Sequence, residues 1–200
     1  MNRALAVGAV VLAFASVQAR ASEFGILLDK EVGRSESLGA PGVPGLPAGS
    51  YDRASPTGFG FRYAYTFLNL DVAELGAALT YHPKAQDDLT QGGVNYGKLG
   101  NQYVAIGVQA DWKLLMNIHA GLDLRSEKVT TSATSDSTTF YRPWVKAGVG
   151  YSIPTPAVSP FVRLEVAVPL TSYDSSSSTD DFRKAMAPSL QVALYGGIRF

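Results

Sequence analysis

The chain has no cysteine, so neither a disulfide nor a thiolate site stabilises it. Histidine is nearly as scarce, with only His82 and His119. Basic and acidic residues balance at 17 each. That balance argues against a nucleic-acid role and against a polybasic membrane patch. No apolar run reaches the roughly 18–20 residues that a spanning helix needs. Beyond the N-terminal segment, no amphipathic helical pattern persists through a window of about 11 residues. A membrane role, if there is one, falls to strands.

The N-terminal segment, residues 1–21, reads MNRALAVGAVVLAFASVQARA. Arg3 gives a positive start, Ala4 to Ala15 is apolar, and Ala19-Arg20-Ala21 is a small-x-small site. This is the anatomy of a secretory signal peptide, with cleavage expected before Ser22. Residues 22–200 then form one domain. Losing Arg3 and Arg20 leaves the mature chain slightly acidic.

What the sequence does have is alternation. A first strand is expected over Glu23–Val32, with Phe24, Ile26 and Leu28 on one face. The second, GFGFRYAYTF, sets Phe59, Phe61, Tyr63, Tyr65 and Phe67 against Gly60, Arg62, Ala64 and Thr66. Six more runs follow, near 72–82, 104–112, 114–125, 141–151, 162–170 and 185–200. Period-two patterning marks strands whose two faces meet different environments. The connections at 36–56, 83–99, 128–138 and 171–184 are long and polar or loop-like, whereas LNLD, a turn at Lys113 and SIPTPAVS are shorter. Long loops at one end and short turns at the other fit an all-β, eight-stranded antiparallel up-and-down transmembrane barrel with extracellular loops and periplasmic turns.

Alternation alone does not say which face points inward. A soluble lipocalin-like carrier would bury the apolar set, whereas a membrane barrel turns it towards lipid. The polar face mixes glycine with large ionised residues, as a narrow interior requires. Its charges nearly balance. Arg62, Arg125, Arg142, Lys146, Arg163 and Arg199 stand against Asp29, Glu31, Glu74, Asp111, Asp123 and Glu165, with His119 in the same phase. Buried charges must pair, so these residues are expected to form a structural charge network in a plugged lumen. Phe24, Phe67, Trp112, Tyr151 and Phe200 fall at the short-turn ends of their strands, and Phe59, Tyr81 and Tyr141 towards the loops. They are expected to form aromatic girdles.

The signal segment, the eight strands with alternating connections, and the ending QVALYGGIRF resemble the small outer-membrane barrels of the OmpA/OmpX type. In that family the last strand carries an assembly signal. The resemblance assigns it here to Val192, Leu194, Ile198 and Phe200, although Gly196 interrupts the apolar series. It further implies an outer-membrane location, with membrane lipid, lipopolysaccharide and the barrel-assembly machinery as partners and an extracellular ligand at the loops. No separate domain follows Phe200, so peptidoglycan anchoring is not expected.

Catalysis is not expected. His119 and Asp123 share a strand face, but four residues along a strand span about 13 Å, too far for a direct bond. His82, in TYHPKAQDD, is expected at a loop edge. Neither histidine is followed by the His-x-Ser pattern of outer-membrane lipid A deacylases. No metal site, phosphate loop or nucleophile elbow appears, and no cofactor is implied. The acidic pairs Asp87-Asp88 and Asp180-Asp181 are expected to be solvated loop charge. The preferred role is structural or surface interaction: membrane integrity, adhesion or ligand recognition through the loops. The alternatives are a narrow pore for small solutes or ions, then an enzyme acting on lipid A, then the soluble carrier.

Overall fold

The computed structural model describes residues 22–43, 45–70, 72–174 and 178–200. The expected signal segment, 1–21, lies outside them. In chain order the elements are β1 (Ser22–Glu31), β2 (Arg34–Val43), β3 (Leu46–Arg53), β4 (Thr57–Asn69), β5 (Ala73–Gln91), β6 (Val94–Lys113), β7 (Asn117–Thr131), β8 (Asp136–Ser152), β9 (Ser159–Pro169), α1 (Thr179–Ala185) and β10 (Gln191–Arg199).

Eight of the strands close a barrel. β4, β1, β10, β9, β8, β7 and β6 follow one another, and β5 pairs with both β4 and β6. Every pairing is antiparallel. The seam joins the first strand to the last. Phe24 faces Ile198 in register, and Ser22 and Phe200 exchange both backbone hydrogen bonds, at 2.7 and 2.8 Å. Closure leaves none of these eight strands with an open edge in the hydrocarbon layer.

The strands are tilted. Register partners can be followed around the wall from Glu31 through Gln191, Ala167, Lys146, Gly121, Gln109 and Gly76 to Thr66. Thr66 adjoins Tyr65, which pairs with Ser22. One circuit therefore falls the whole length of β1, the stagger that a closed barrel requires.

Phe24, Phe59, Ile106, Leu164 and Val166 are exposed, whereas Arg62, Asp123, Arg142 and Glu165 are buried. A chain with its charges inside and its large apolar side chains outside is built for lipid. Inward glycines make room where side chains cross the interior. A Cβ at Gly107 would collide with the Asp123 carboxylate, and one at Gly121 with the Lys146 stem.

The long connections are more ordered than the sequence suggests. The first is a hairpin, β2–β3. In the second, strand pairing runs on to Gln91 and Val94 across a Gly92-Gly93 turn, where φ is +55° and +82°. Two glycines of positive φ suit a tight hairpin turn. In the third, β7 and β8 continue to Thr131 and Asp136. The fourth contains α1, so the last strand starts at Gln191 and not near Ala185. Ser178 caps α1, with Asp180 and Asp181 in its first turn and Arg183 and Lys184 in its last, each sign matching the helix dipole. At seven residues, α1 is too short to show helical periodicity.

These parts meet above the lumen in an apolar core. Leu46 and Tyr51 of the hairpin pack with Leu89, Leu99, Val129 and Phe140 of the extended strands and with Phe182 and Met186 of the α1 segment. The Tyr51 and Phe182 rings meet edge to face at 5.4 Å. The inward phase thus changes from ionised to apolar where the wall rises past the lumen, and a folded head closes the barrel on the loop side.

Candidate functional site: the lumen and its loop-side head

Antiparallel strands place inward residues of neighbouring strands side by side, and the narrow bore brings opposite walls within reach. Both routes are used. Asp111 and His119 are register partners on β6 and β7, with Asp111 Oδ1 3.1 Å from His119 Nδ1. The partner of His119 therefore lies across the strand pair, while Asp123, on its own strand, takes Lys146 at 2.8 Å. Across the bore, the Arg62 guanidinium of β4 donates to both carboxylate oxygens of Glu165 on β9, each at 2.7 Å. Arg163 of β9 reaches Asp111 of β6 at 2.7 Å. His119 Nε2 lies 3.7 Å from Glu165, which joins these groups into one cluster.

Near the short-turn end, Glu74 pairs with Lys113 at 2.8 Å and with Arg199 at 3.2 Å. Arg199 also holds Glu23 at 3.0 Å. Towards the loops, Asp29 accepts from Gln191 at 2.7 Å and lies 2.7 Å from His82 Nε2. Higher still, Glu31 takes Arg53 at 2.5 Å and Asn101 at 2.8 Å, and Arg53 also donates to the Met186 carbonyl at 3.4 Å. Arg142 donates to Glu127 at 2.7 Å and to the Pro188 carbonyl at 2.8 Å. The Trp144 indole N–H donates to the same Glu127 at 2.5 Å. Lumen charges thus grip the segment that follows α1 and tie the head to the barrel.

The geometry corrects or extends the expectations at particular residues. His82 is wholly buried and not at a loop edge, because β5 continues beyond Pro83 and the head closes over it. Its ring stacks on Tyr103 with centroids 4.9 Å apart. Arg125 has no carboxylate within ion-pair distance among the described residues. Its guanidinium lies between the Tyr103 and Trp144 rings, at 4.3 and 3.9 Å, a cation–π arrangement. Asp180 and Asp181 pair with Arg183 at 3.1 Å and Lys184 at 3.3 Å. Sequence reasoning missed Arg53 and Glu127 because they lie in segments read as loop or loop border, and Glu23 because it begins a strand. For Glu127, an inward-phase charge two residues past the expected strand end at Arg125 was the available signal.

The cluster is built for pairing. Among the described residues neither histidine is hydrogen-bonded to a hydroxyl, and no group of three or more His, Cys, Asp and Glu side chains could hold a metal ion. The aromatic residues expected in the girdles face outward. Phe24, Phe67, Trp112, Tyr151 and Phe200 are exposed, as are Phe59, Tyr81 and Tyr141.

An ionised interior within an apolar closed wall defines the class: a small eight-stranded β-barrel with the inside-out pattern of a transmembrane barrel. No family model matches the sequence, and no curated protein matches it. Similar solved structures include Ail, the attachment invasion locus protein of Yersinia pestis, in complex with the heparin analogue sucrose octasulfate. That likeness has 14% identity, a TM-score of 0.47, and coverage of 92% of this chain and 100% of that one. Ail solved without the analogue gives 14% identity and a TM-score of 0.46, over 92% and 100%. Neisserial surface protein A gives 12% identity and a TM-score of 0.49, over 90% of this chain and 95% of that one.

Proposed function

We propose that this chain is an outer-membrane barrel that acts as a structural anchor for a folded extracellular recognition head. The observation that carries this reading is the head itself. The β2–β3 hairpin, the tall ends of β5–β8 and α1 share one apolar core, and charges beneath it are paired across the bore. A plugged barrel offers little path for solutes. An ordered head on a rigid scaffold offers a surface of fixed shape, where loops usually carry recognition. In this reading the network of Asp29, Glu31, Arg62, Glu74, Asp111, His119, Asp123, Arg125, Arg142, Lys146, Arg163, Glu165 and Arg199 is structural. Membrane lipid, lipopolysaccharide and the assembly machinery are the partners of the wall.

Two measurements test it. In planar bilayers the folded chain passes no steady single-channel current. A steady current would favour the narrow pore instead. Intact cells displaying the chain bind a glycan or protein array through the head, and Phe182→Asp, which places a charge in the head's core, abolishes that binding while the barrel remains heat-modifiable. Binding that survives a demonstrably unseated head would overturn the recognition role.

A further inference from the structure

The outward phase of β5–β8 changes character where these strands rise into the head. The uppermost apolar row holds Tyr81, Val104 and Tyr141, with Ser126 beside them. In the row above, Gln102, Lys128 and Thr139 lie side by side, and in the next come Gln86, Gly100, Thr130 and Ser137. One row higher, Lys98 stands opposite Asp88. Lys84 joins this face from the register shift between His82 and Ala85 in β5. Its stem lies over Gly100. A Cβ at that position would collide with Lys84 Cε and sit 3.1 Å from Thr130 Oγ1, so the glycine lets the lysine lie flat on the sheet.

Three ammonium groups therefore climb one face. Outward residues of a strand recur about every 7 Å, which spreads Lys128, Lys84 and Lys98 over about 14 Å. Lys84 and Lys98 are exposed and Lys128 is half-buried. Among the described residues none of the three has a carboxylate within ion-pair distance. Asp88 is the single carboxylate at the outward positions of these rows. The rest of the face is hydroxyl and amide. Gln102, Ser126, Lys128 and Thr139 line a pocket of about 180 Å³ at its foot. Higher up, Thr130 Oγ1 is buried beside the Lys84 stem without a hydrogen-bond partner among the described residues. Ammonium groups pair with anions, while hydroxyls and amides both donate and accept, as sugar hydroxyls require. The spacing selects a polymer over a leaflet. Lipid phosphates lie at one height, whereas these cations lie one above another.

We propose that the outward face of β5–β8 above Tyr81 and Tyr141 binds a linear polyanionic polysaccharide, which runs up the sheet with its anionic groups on Lys128, Lys84 and Lys98. This rests on the head's recognition role and names the face and the ligand class for it. Gln102, Thr139 and Thr130 serve the sugar hydroxyls between the charges.

The test is biolayer interferometry of the folded full chain in detergent against immobilised dextran sulfate, with unsulfated dextran alongside. The wild-type chain should bind dextran sulfate and not dextran, more weakly as salt is raised. Lys84→Gln, Lys98→Gln and Lys128→Gln should each weaken binding by about three- to fivefold, the upper range for an exposed ion pair. The triple variant should lose roughly thirtyfold, since the three act on separate anions. Lys30→Gln, an exposed cation on β1, should change nothing. Unaltered binding in the triple variant, or an equal loss in Lys30→Gln, would overturn the proposal. So would a block of dextran sulfate binding by purified lipopolysaccharide, which would give this face to the membrane's own glycolipid. The array measurement keeps this site apart from the recognition role. A chain that ignores dextran sulfate yet binds another array member through its head loses this site and keeps that role. The substituted side chains lie outside the head's core, and heat-modifiable migration confirms that each variant is folded.

Discussion

Arg62 and Glu165 face each other across the bore from β4 and β9, and one guanidinium nitrogen of Arg62 sits 2.7 Å from both carboxylate oxygens. The strands that carry them are separated in the wall by β1 and β10. The pair therefore braces opposite sides of the barrel. Its removal from water costs several kcal/mol per ion, and that cost is offset only while both partners remain. Arg62→Ala should therefore destabilise the folded barrel by about 3–5 kcal/mol. Replacing both residues by methionine should recover most of that loss. Equilibrium urea unfolding in lipid vesicles gives both numbers, and a double variant as unstable as the single one would contradict this account.

Glu127 carries a second prediction. It accepts from Arg142 and from the Trp144 indole, so Glu127→Leu leaves a buried guanidinium with only the Pro188 carbonyl. A loss of about 3–5 kcal/mol is expected. The indole also loses its acceptor, so the tryptophan emission should shift. Trp112 faces outward and is exposed, so its signal serves as an internal control.

The wall predicts its own response to charge. Val166 lies outward on β9 between Val192 and Ala147. Val166→Arg should cost about 2–4 kcal/mol if it sits near the bilayer midplane. The measurement is unfolding in vesicles. No measurable loss would mean that this face does not meet hydrocarbon.

Phe200 is expected to matter for assembly more than for equilibrium stability. Its backbone pairs with Ser22 at the seam, and its exposed ring lies outside. Phe200→Ala keeps the backbone bonds and loses the aromatic. Heat-modifiable barrel recovered from cells should fall, while the stability of the refolded chain changes little. Normal insertion in cells would remove Phe200 from the assembly signal.

The barrel was legible because every spanning strand carries a strong period of two. In β4 the outward Phe59, Phe61, Tyr63 and Tyr65 alternate with Gly60, Arg62 and Ala64, so phase and position follow from the residues. The head was not legible for two reasons. Beyond His82 the inward phase turns from polar to apolar, as at Leu89 and Leu99, which breaks the pattern without ending the strand. α1 is shorter than the window in which helical periodicity can be recognised. Its burial depends on partners more than a hundred residues away in the chain, such as Tyr51.

The division between sequence and tertiary structure follows from what each interaction depends on. Side-chain direction along a strand is local, so the sequence alone determined which residues share a face, and the balanced charges of one face marked it as the bore. Pairing across the bore depends on register, tilt and diameter together. Only the closed barrel decided that His119 meets Asp111 and not Asp123, that Arg62 meets Glu165, that Arg125 rests between two rings, and that His82 lies beneath the head.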